Sequence, residues 1–250
     1  MSVAVIAVLG LGEAGGRLAA DLAAAGADVR GYDPDPTRGG TASSAEEAVT
    51  GADVVLSANA AGAAFAAAES ALPALDEQAV YADLNTTSPG VKQELAAIAG
   101  QRFADVALLG AVPEKGIGTP ALASGPAAEA FAAALQPLGM PVEVVSDRAG
   151  DAAEMKLLRS VFMKGLAASA IESLGAAERA GHAAWLRGEI GGVIGEPLLE
   201  RLVEGSRRHA ARRVDEMEAA HDLLSELGVE PRIATASAAL LAELAGTEAS

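Results

Sequence analysis

Cysteine is absent from all 250 residues. Disulfides, a cysteine nucleophile and thiolate metal ligation are therefore excluded, and the redox compartment is left open. Aromatic residues make up only 3% of the chain, although apolar residues reach 51% and much of that share is alanine. Small side chains of this kind suit closely packed helices. Positive charge is also scarce: 18 Lys and Arg face 34 Asp and Glu, for a formal net charge of −16. Arg207-Arg208 and Arg212-Arg213 are the only basic groupings, so neither nucleic acid nor an anionic membrane is an expected partner. Long hydrophobic runs are missing as well. The alanine-rich stretch Ala60 to Leu75 carries Glu69 and Pro73, too broken for a membrane span. The chain opens directly on an apolar strand, without a basic region and hydrophobic leader, which predicts a soluble cytoplasmic protein. His182, His209 and His221 are too scattered for a metal site, so no metal is expected. No serine nucleophile elbow or Walker lysine occurs.

What is present begins at residue 3. Val3 to Leu9 is an apolar, largely β-branched run that ends in Gly10-Leu11-Gly12-Glu13-Ala14-Gly15. Helix formers follow from Arg17 to Ala24. The order strand, glycine turn, helix is that of a dinucleotide site: the glycines allow a tight turn, close approach of a pyrophosphate, and close packing of helix on strand. The helix N-terminus offers unpaired N–H groups and the positive end of its dipole to the phosphates. A second strand, Ala27 to Tyr32, leads into Asp33, 23 positions after Gly10. An acidic residue there accepts the adenine-ribose hydroxyls and disfavours a 2′-phosphate, so NAD is the expected cofactor. Arg38 is placed to clamp that phosphate, which keeps NADP open.

Strands and helices then alternate. Strands are predicted at Asp53–Ala58, Ala79–Leu84, Arg102–Leu109, Ala121–Ser124 and Val142–Val145. Helices are predicted after Ser44, over Ala60–Leu72, after Ser88-Pro89 and over Ala127–Leu138. This pattern implies a parallel, doubly wound α/β sheet. The loops after the strands, near Asn59, Asn85 and Gly110, would gather at the ligand edge. Gly110 to Gly118 reads as a flexible loop. Beyond Gly150 no convincing strand follows. Helix is predicted over Asp151–Leu174 and much of Glu196–Leu227, with Gly188, Gly191, Gly192 and Gly195 interrupting the chain between them. The expected division is a Rossmann-like domain over 1–148 and an all-α domain over 149–250, each of ordinary domain size.

A bound nicotinamide implies hydride transfer, which needs a proton donor or acceptor beside it. Lys156 is the best candidate from the residues themselves. It lies at the domain junction, where a partly desolvated cleft would lower a lysine pKa. Ser160 and Lys164 follow at i+4 and i+8, on roughly one helix face. A solvated polar face has the same spacing.

The chain resembles the β-hydroxyacid dehydrogenase family, which includes 3-hydroxyisobutyrate and 6-phosphogluconate dehydrogenases. It is most similar to a phosphogluconate-dehydrogenase-like branch with a compact helical C-terminal domain. The resemblance covers nearly the whole chain and rests on Gly10 to Gly15, on Asp83-Leu84-Asn85-Thr86-Thr87-Ser88-Pro89, and on Lys156 to Gly165. It implies that Lys156 is the catalytic lysine and Thr86 the cofactor-contacting threonine. Asn59 and Thr86 would then flank the nicotinamide side, Asn85 is a further cofactor-binding candidate, and Ser160 would orient the substrate beside Lys156 as the second catalytic-site residue. Ser160 stands where the family usually has Asn. Gly110-Ala111-Val112-Pro113 replaces the family's Ser-Gly-Gly substrate motif, and Met163 replaces the glutamate of phosphogluconate enzymes. Pro113, Lys164 and Arg213 are the remaining substrate-site candidates. The expected activity is NAD(P)-dependent oxidation of a small hydroxy acid, or reduction of its carbonyl form, by a homodimer. Two alternatives stay open: an imine reductase, a group that generally lacks this lysine, and a cofactor-binding regulatory protein without turnover.

Overall fold

A computed structural model describes residues 4–248. The chain divides into two compact units, Met1–Lys156 and Leu157–Ser250. The first unit runs β1 (Val5–Leu9), α1 (Glu13–Ala24), β2 (Asp28–Tyr32), α2 (Ala45–Val49), β3 (Val54–Ser57), α3 (Ala64–Ala71), β4 (Val80–Asp83), α4 (Pro89–Ala99), β5 (Phe103–Leu108), the single turn α5 (Val112–Lys115), β6 (Ala121–Ser124), α6 (Ala128–Leu135) and β7 (Val142–Ser146). The strands form one sheet in the order β2-β1-β3-β4-β5-β6-β7.

Side-chain alternation along β1 shows how the layers form. Ile6 and Val8 pack with Leu18 and Leu22 of α1 and with Phe131 and Leu135 of α6. Ala7 and Leu9 face the other way, onto Ala48 of α2, Ala68 of α3 and Leu95 of α4. Period-two geometry thus sends one strand into two cores, and helices cover both faces. Each fully buried leucine contributes about 1.5–3 kcal/mol.

The sheet departs from an all-parallel one at a single pairing: β6 runs antiparallel to β5, and β7 runs parallel to β6. The cause is the connection. A parallel return needs a crossover helix on a sheet face, and the segment between β5 and β6 holds only α5 and a 3-10 turn at Gly116–Gly118. That segment, expected as a flexible loop, is therefore folded. The Ile117 N–H and the Arg17 guanidinium both bond the Asp21 carboxylate, and the Arg17 guanidinium also donates to the Pro113 carbonyl.

Strand order places the switch point of the sheet between β1 and β3, because β2 lies on one side of β1 and β3 on the other. Ligands of doubly wound sheets bind outside the carboxyl ends of the strands at that point. Gly10 follows β1 and Asn59 lies two residues past β3.

Helix α7 (Asp151–Arg179) begins in the first unit, and the division between the units falls within it rather than in the preceding loop. The second unit continues with α8 (Ala183–Ile194), α9 (Glu196–Arg208), α10 (Ala210–Glu226) and α11 (Arg232–Glu248). Leu199, Leu202, Val203 and Ser206 are the buried residues of α9, at the spacing of one helical face. Leu157, Met217, Leu223 and Leu241 form one core, and Ala170, Leu199 and Val203 another.

The glycines of α8 correct the sequence reading. Gly188, Gly191 and Gly192 lie inside the helix instead of interrupting it. Each costs about 1 kcal/mol relative to alanine. Ile190 and Ile194 offset that by packing against the second core, and Gly191 leaves room for the Glu196 carboxylate, which would lie 2.5 Å from a Cβ there.

Candidate active site

The turn after β1 is closed by backbone contact. A Cβ on Gly15 would sit 1.9 Å from the Gly10 carbonyl oxygen, and one on Gly10, whose φ is +92°, would sit 2.5 Å from the Ala58 carbonyl oxygen. Only hydrogen fits at either position. Gly12 precedes α1 without any side-chain cap, so the first N–H groups of the helix are not taken by a capping side chain. Leu11 packs beneath Gly31 of β2, Ala14 packs against the core, and Glu13 is the exposed first residue of α1. A cradle of glycine backbone at an uncapped helix start fits a dinucleotide pyrophosphate.

Asp33 is tied to that cradle. Its Oδ2 accepts the Leu11 N–H at 2.7 Å and its Oδ1 accepts the Asp35 N–H at 2.9 Å. An ionised carboxylate has about four acceptor sites, so capacity remains for ribose hydroxyls. Arg38 reaches the same place, with one guanidinium nitrogen 3.2 Å from where a Gly12 Cβ would be. Its charge is partly met by Asp35, at 3.6 Å.

The ends of β3 and β4 are joined by amides. Asn85 Oδ1 accepts the Asn59 N–H at 2.6 Å, and both asparagine side chains donate to Ser57 Oγ, at 3.0 and 3.4 Å. Asn85 also donates to Asp83 and is buried. Its amide is thereby engaged as a strut that holds the Asn59 loop. Thr86, one residue further on, is half-buried, and its Oγ1 accepts a hydrogen bond from Lys156 Nζ at 2.7 Å. The first unit thus brings the glycine turn, Asp33, Asn59 and Thr86 to one strand-end edge, with Lys156 bonded to Thr86. Pro113 lies in α5, its carbonyl bonded to Arg17 of α1.

The second unit holds its own polar cluster. Glu216 of α10 accepts hydrogen bonds from Ser160 Oγ and from Lys164 Nζ, the latter at 2.9 Å. Burial pushes the Lys164 pKa below the ordinary lysine value, against the opposing pull of Glu216; Arg213 and Arg212 add to the depression. Arg213 donates to Ser206 Oγ at 2.6 Å. Glu216 was not singled out from sequence. It sits in a charged run on α10, where nothing distinguishes it from its exposed neighbours.

A second group escaped the sequence as well. Lys92 of α4 is 1% exposed and lies 2.6 Å from Asp83 Oδ2 and 3.1 Å from Asp105 Oδ1. Asp83 and Asp105 are register partners on β4 and β5. Burial raises the Asp83 pKa above the usual carboxylate range, outweighing the attraction of Lys92. Burial pushes Lys92 down, yet the two aspartates hold its pKa above the ordinary lysine value. The available signal was an acidic residue inside each of two apolar strands, Ala79 to Leu84 and Phe103 to Leu108.

Among the described residues, no group of three or more His, Cys, Asp or Glu side chains is arranged to hold a metal ion. No helix among them is long and apolar enough to cross a membrane.

Comparison with known proteins agrees with this geometry. The family model described as the NAD binding domain of 6-phosphogluconate dehydrogenase matches residues 5–140. A second family model, described as a domain of unknown function (DUF1932), matches residues 177–244. An uncharacterized 28.5 kDa protein of Methanothermus fervidus is 31% identical over 146 residues; the match spans 55% of this chain and 55% of that relative. A solved structure of a conserved protein of unknown function, described as structurally similar to 3-hydroxyacid dehydrogenases, is 30% identical, with 96% of each chain covered and a TM-score of 0.74. The 3-hydroxyisobutyrate dehydrogenase of Mycobacterium tuberculosis is 22% identical and superposes with a TM-score of 0.83 over 98% of this chain and 94% of its own. At that identity the likeness is one of fold.

Proposed function

The chain belongs to the β-hydroxyacid dehydrogenase family and carries its NAD(P)-binding domain, and on that premise we propose that it oxidises a small hydroxy acid, or reduces the corresponding carbonyl compound, with Lys156 as general acid/base. The bound nicotinamide would supply the hydride chemistry. Gly10 to Gly15 would hold the pyrophosphate, Asp33 the adenine ribose, and Asn59 and Thr86 the nicotinamide side. The observation that carries the reading is the 2.7 Å bond from Lys156 Nζ to Thr86 Oγ1. It fixes an amine on the loop that follows β4, at the edge where the glycine turn opens. In oxidation, Lys156 Nζ would accept the substrate hydroxyl proton, and in reduction it would return one. Ser160, Lys164 and Arg213 are the groups we assign to substrate contact.

Asp33 opposes a 2′-phosphate, and Asp35 offsets the charge of Arg38, a cation at the turn that would favour it. NAD is the cofactor we infer. The test is a panel of hydroxy acids with oxidised NAD and NADP, and of imines with the reduced forms, followed by nicotinamide absorbance. Turnover of a hydroxy acid, stronger with NAD, is expected. Turnover of imines alone would replace the reading with imine reduction, and cofactor binding without any turnover would favour a regulatory protein.

A further inference from the structure

The Lys92 cluster is buried, charged and unused by the chemistry above, yet it bonds the backbone or side chain of residues near both members of the Thr86–Lys156 pair. On one side, Lys92 Nζ bonds the Asp83 carboxylate and the Asp83 carbonyl, at 2.6 and 2.8 Å. Asp83 is the last residue of β4 and also accepts from Asn85, the neighbour of Thr86. On the other side, Lys92 pairs with Asp105. Asp105 Oδ2 accepts the Ala153 N–H at 3.0 Å and the Ser124 hydroxyl at 3.1 Å, and Ser124 Oγ accepts the Ala152 N–H at 3.0 Å. Ala152 and Ala153 are in the first turn of α7, and Lys156 is three residues further on. Side chains of two strands therefore do the work of an N-cap for α7. The orphan N–H groups of a buried helix start need such acceptors, and a carboxylate there also meets the positive end of the dipole.

We propose that Lys92 is a positioning residue: by binding Asp83 and Asp105 together it fixes the start of α7 against the Asp83–Thr86 strand end, and so sets where Lys156 Nζ sits relative to Thr86. The proposal rests on Lys156 being the acid/base, and its test is chosen to stand apart from that reading. Displacements well below the length of a hydrogen bond matter at such a site, because a misplacement of about 1 Å can cost about a hundredfold in rate.

The chain has four lysines, Lys92, Lys115, Lys156 and Lys164, so isotope labelling of lysine gives four side-chain signals, and that of Lys156 is assigned by its loss in Lys156→Met. The readout is the chemical shift and titration midpoint of Lys156 in the full chain, without substrate. Lys92→Met, Asp105→Asn and Ser124→Ala are compared with Phe131→Leu, a core substitution in α6 outside the network. Asp105→Asn and Ser124→Ala keep shape and leave no lone buried cation, so they decide the matter if Lys92→Met does not fold. The expected result is a shift of the Lys156 midpoint by about half a pH unit or more in the network variants, and none in Phe131→Leu. An unchanged Lys156 signal in the network variants overturns the proposal, as does an equal shift in Phe131→Leu. Neither outcome touches the acid/base reading, which is tested separately by the turnover of Lys156→Met.

Discussion

A methyl group on Gly15 has nowhere to go: the Gly10 carbonyl oxygen would be 1.9 Å from it, and that oxygen is backbone. Gly15→Ala must open the turn. The expected loss is about 1–3 kcal/mol of stability, the range for overpacking, and at least about tenfold in cofactor affinity, or 1.4 kcal/mol; calorimetric titration with NAD checks it. Such positions are legible in a sequence because the backbone constraint is written into the residue type itself. Lys92 is the opposite case. Its meaning lies in two aspartates on different strands, at 9 and 13 positions away, and no spacing rule pairs them. Removing it leaves buried carboxylates unpaired, so Lys92→Met is expected to cost about 3–5 kcal/mol near neutral pH. The pH dependence has a definite sign. The pKa of Lys92 is raised in the folded chain, so its contribution is complete below the ordinary lysine value of 10.5 and is lost as pH rises through the folded value. Urea unfolding should show the gap between wild type and Lys92→Met narrowing above that pH. Tyr81, whose pKa burial also raises, weakens both proteins in this range.

At the scale of elements, alternation carried most of the information. The apolar runs that became β1, β3, β4 and β5 were bounded by glycine, asparagine and serine signals, and the structure places strands there. Ser44 caps α2 as its spacing to Glu47 suggested, accepting the Glu47 N–H at 3.1 Å; the Glu47 carboxylate returns to Ser43, one residue earlier than in the usual box. Strand direction was less legible. Whether β6 returns parallel or antiparallel depends on how the short β5–β6 connection folds, and Gly110 to Gly118 reads locally as loop. Helix α8 was obscured for a different reason: its glycines carry a local preference that tertiary packing of Ile190 and Ile194 overrides. A Cβ on Gly192 meets nothing within 4 Å, and its φ is not left-handed. Gly192→Ala should therefore raise stability by about 0.4–1 kcal/mol through the unfolded chain. A lower unfolding midpoint in urea would contradict the helical assignment of α8.

For the molecule as a whole, α8 leaves large apolar side chains in solvent, with Trp185 65% and Val193 85% exposed. A chain this poor in aromatics has few to spare for water, and a homodimer that covers them is the expected assembly. Light scattering at micromolar concentration should give twice the monomer mass of 24.8 kDa; a monomer mass contradicts it. The site itself was only partly visible from sequence. Gly10, Asp33, Thr86 and Lys156 stood out by motif and resemblance, whereas the role of Asn85 as a buried strut and of Glu216 as the partner of Lys164 depends on contacts that cross the fold. The account turns on Lys156 moving a proton, and the most direct measurement is the turnover of Lys156→Met on the substrate identified for the wild type, beside its affinity for NAD. Methionine keeps the reach and the helix propensity of lysine. A fall in kcat of about 10²–10⁴ with NAD affinity unchanged is the predicted result; near-normal turnover in that variant would contradict it.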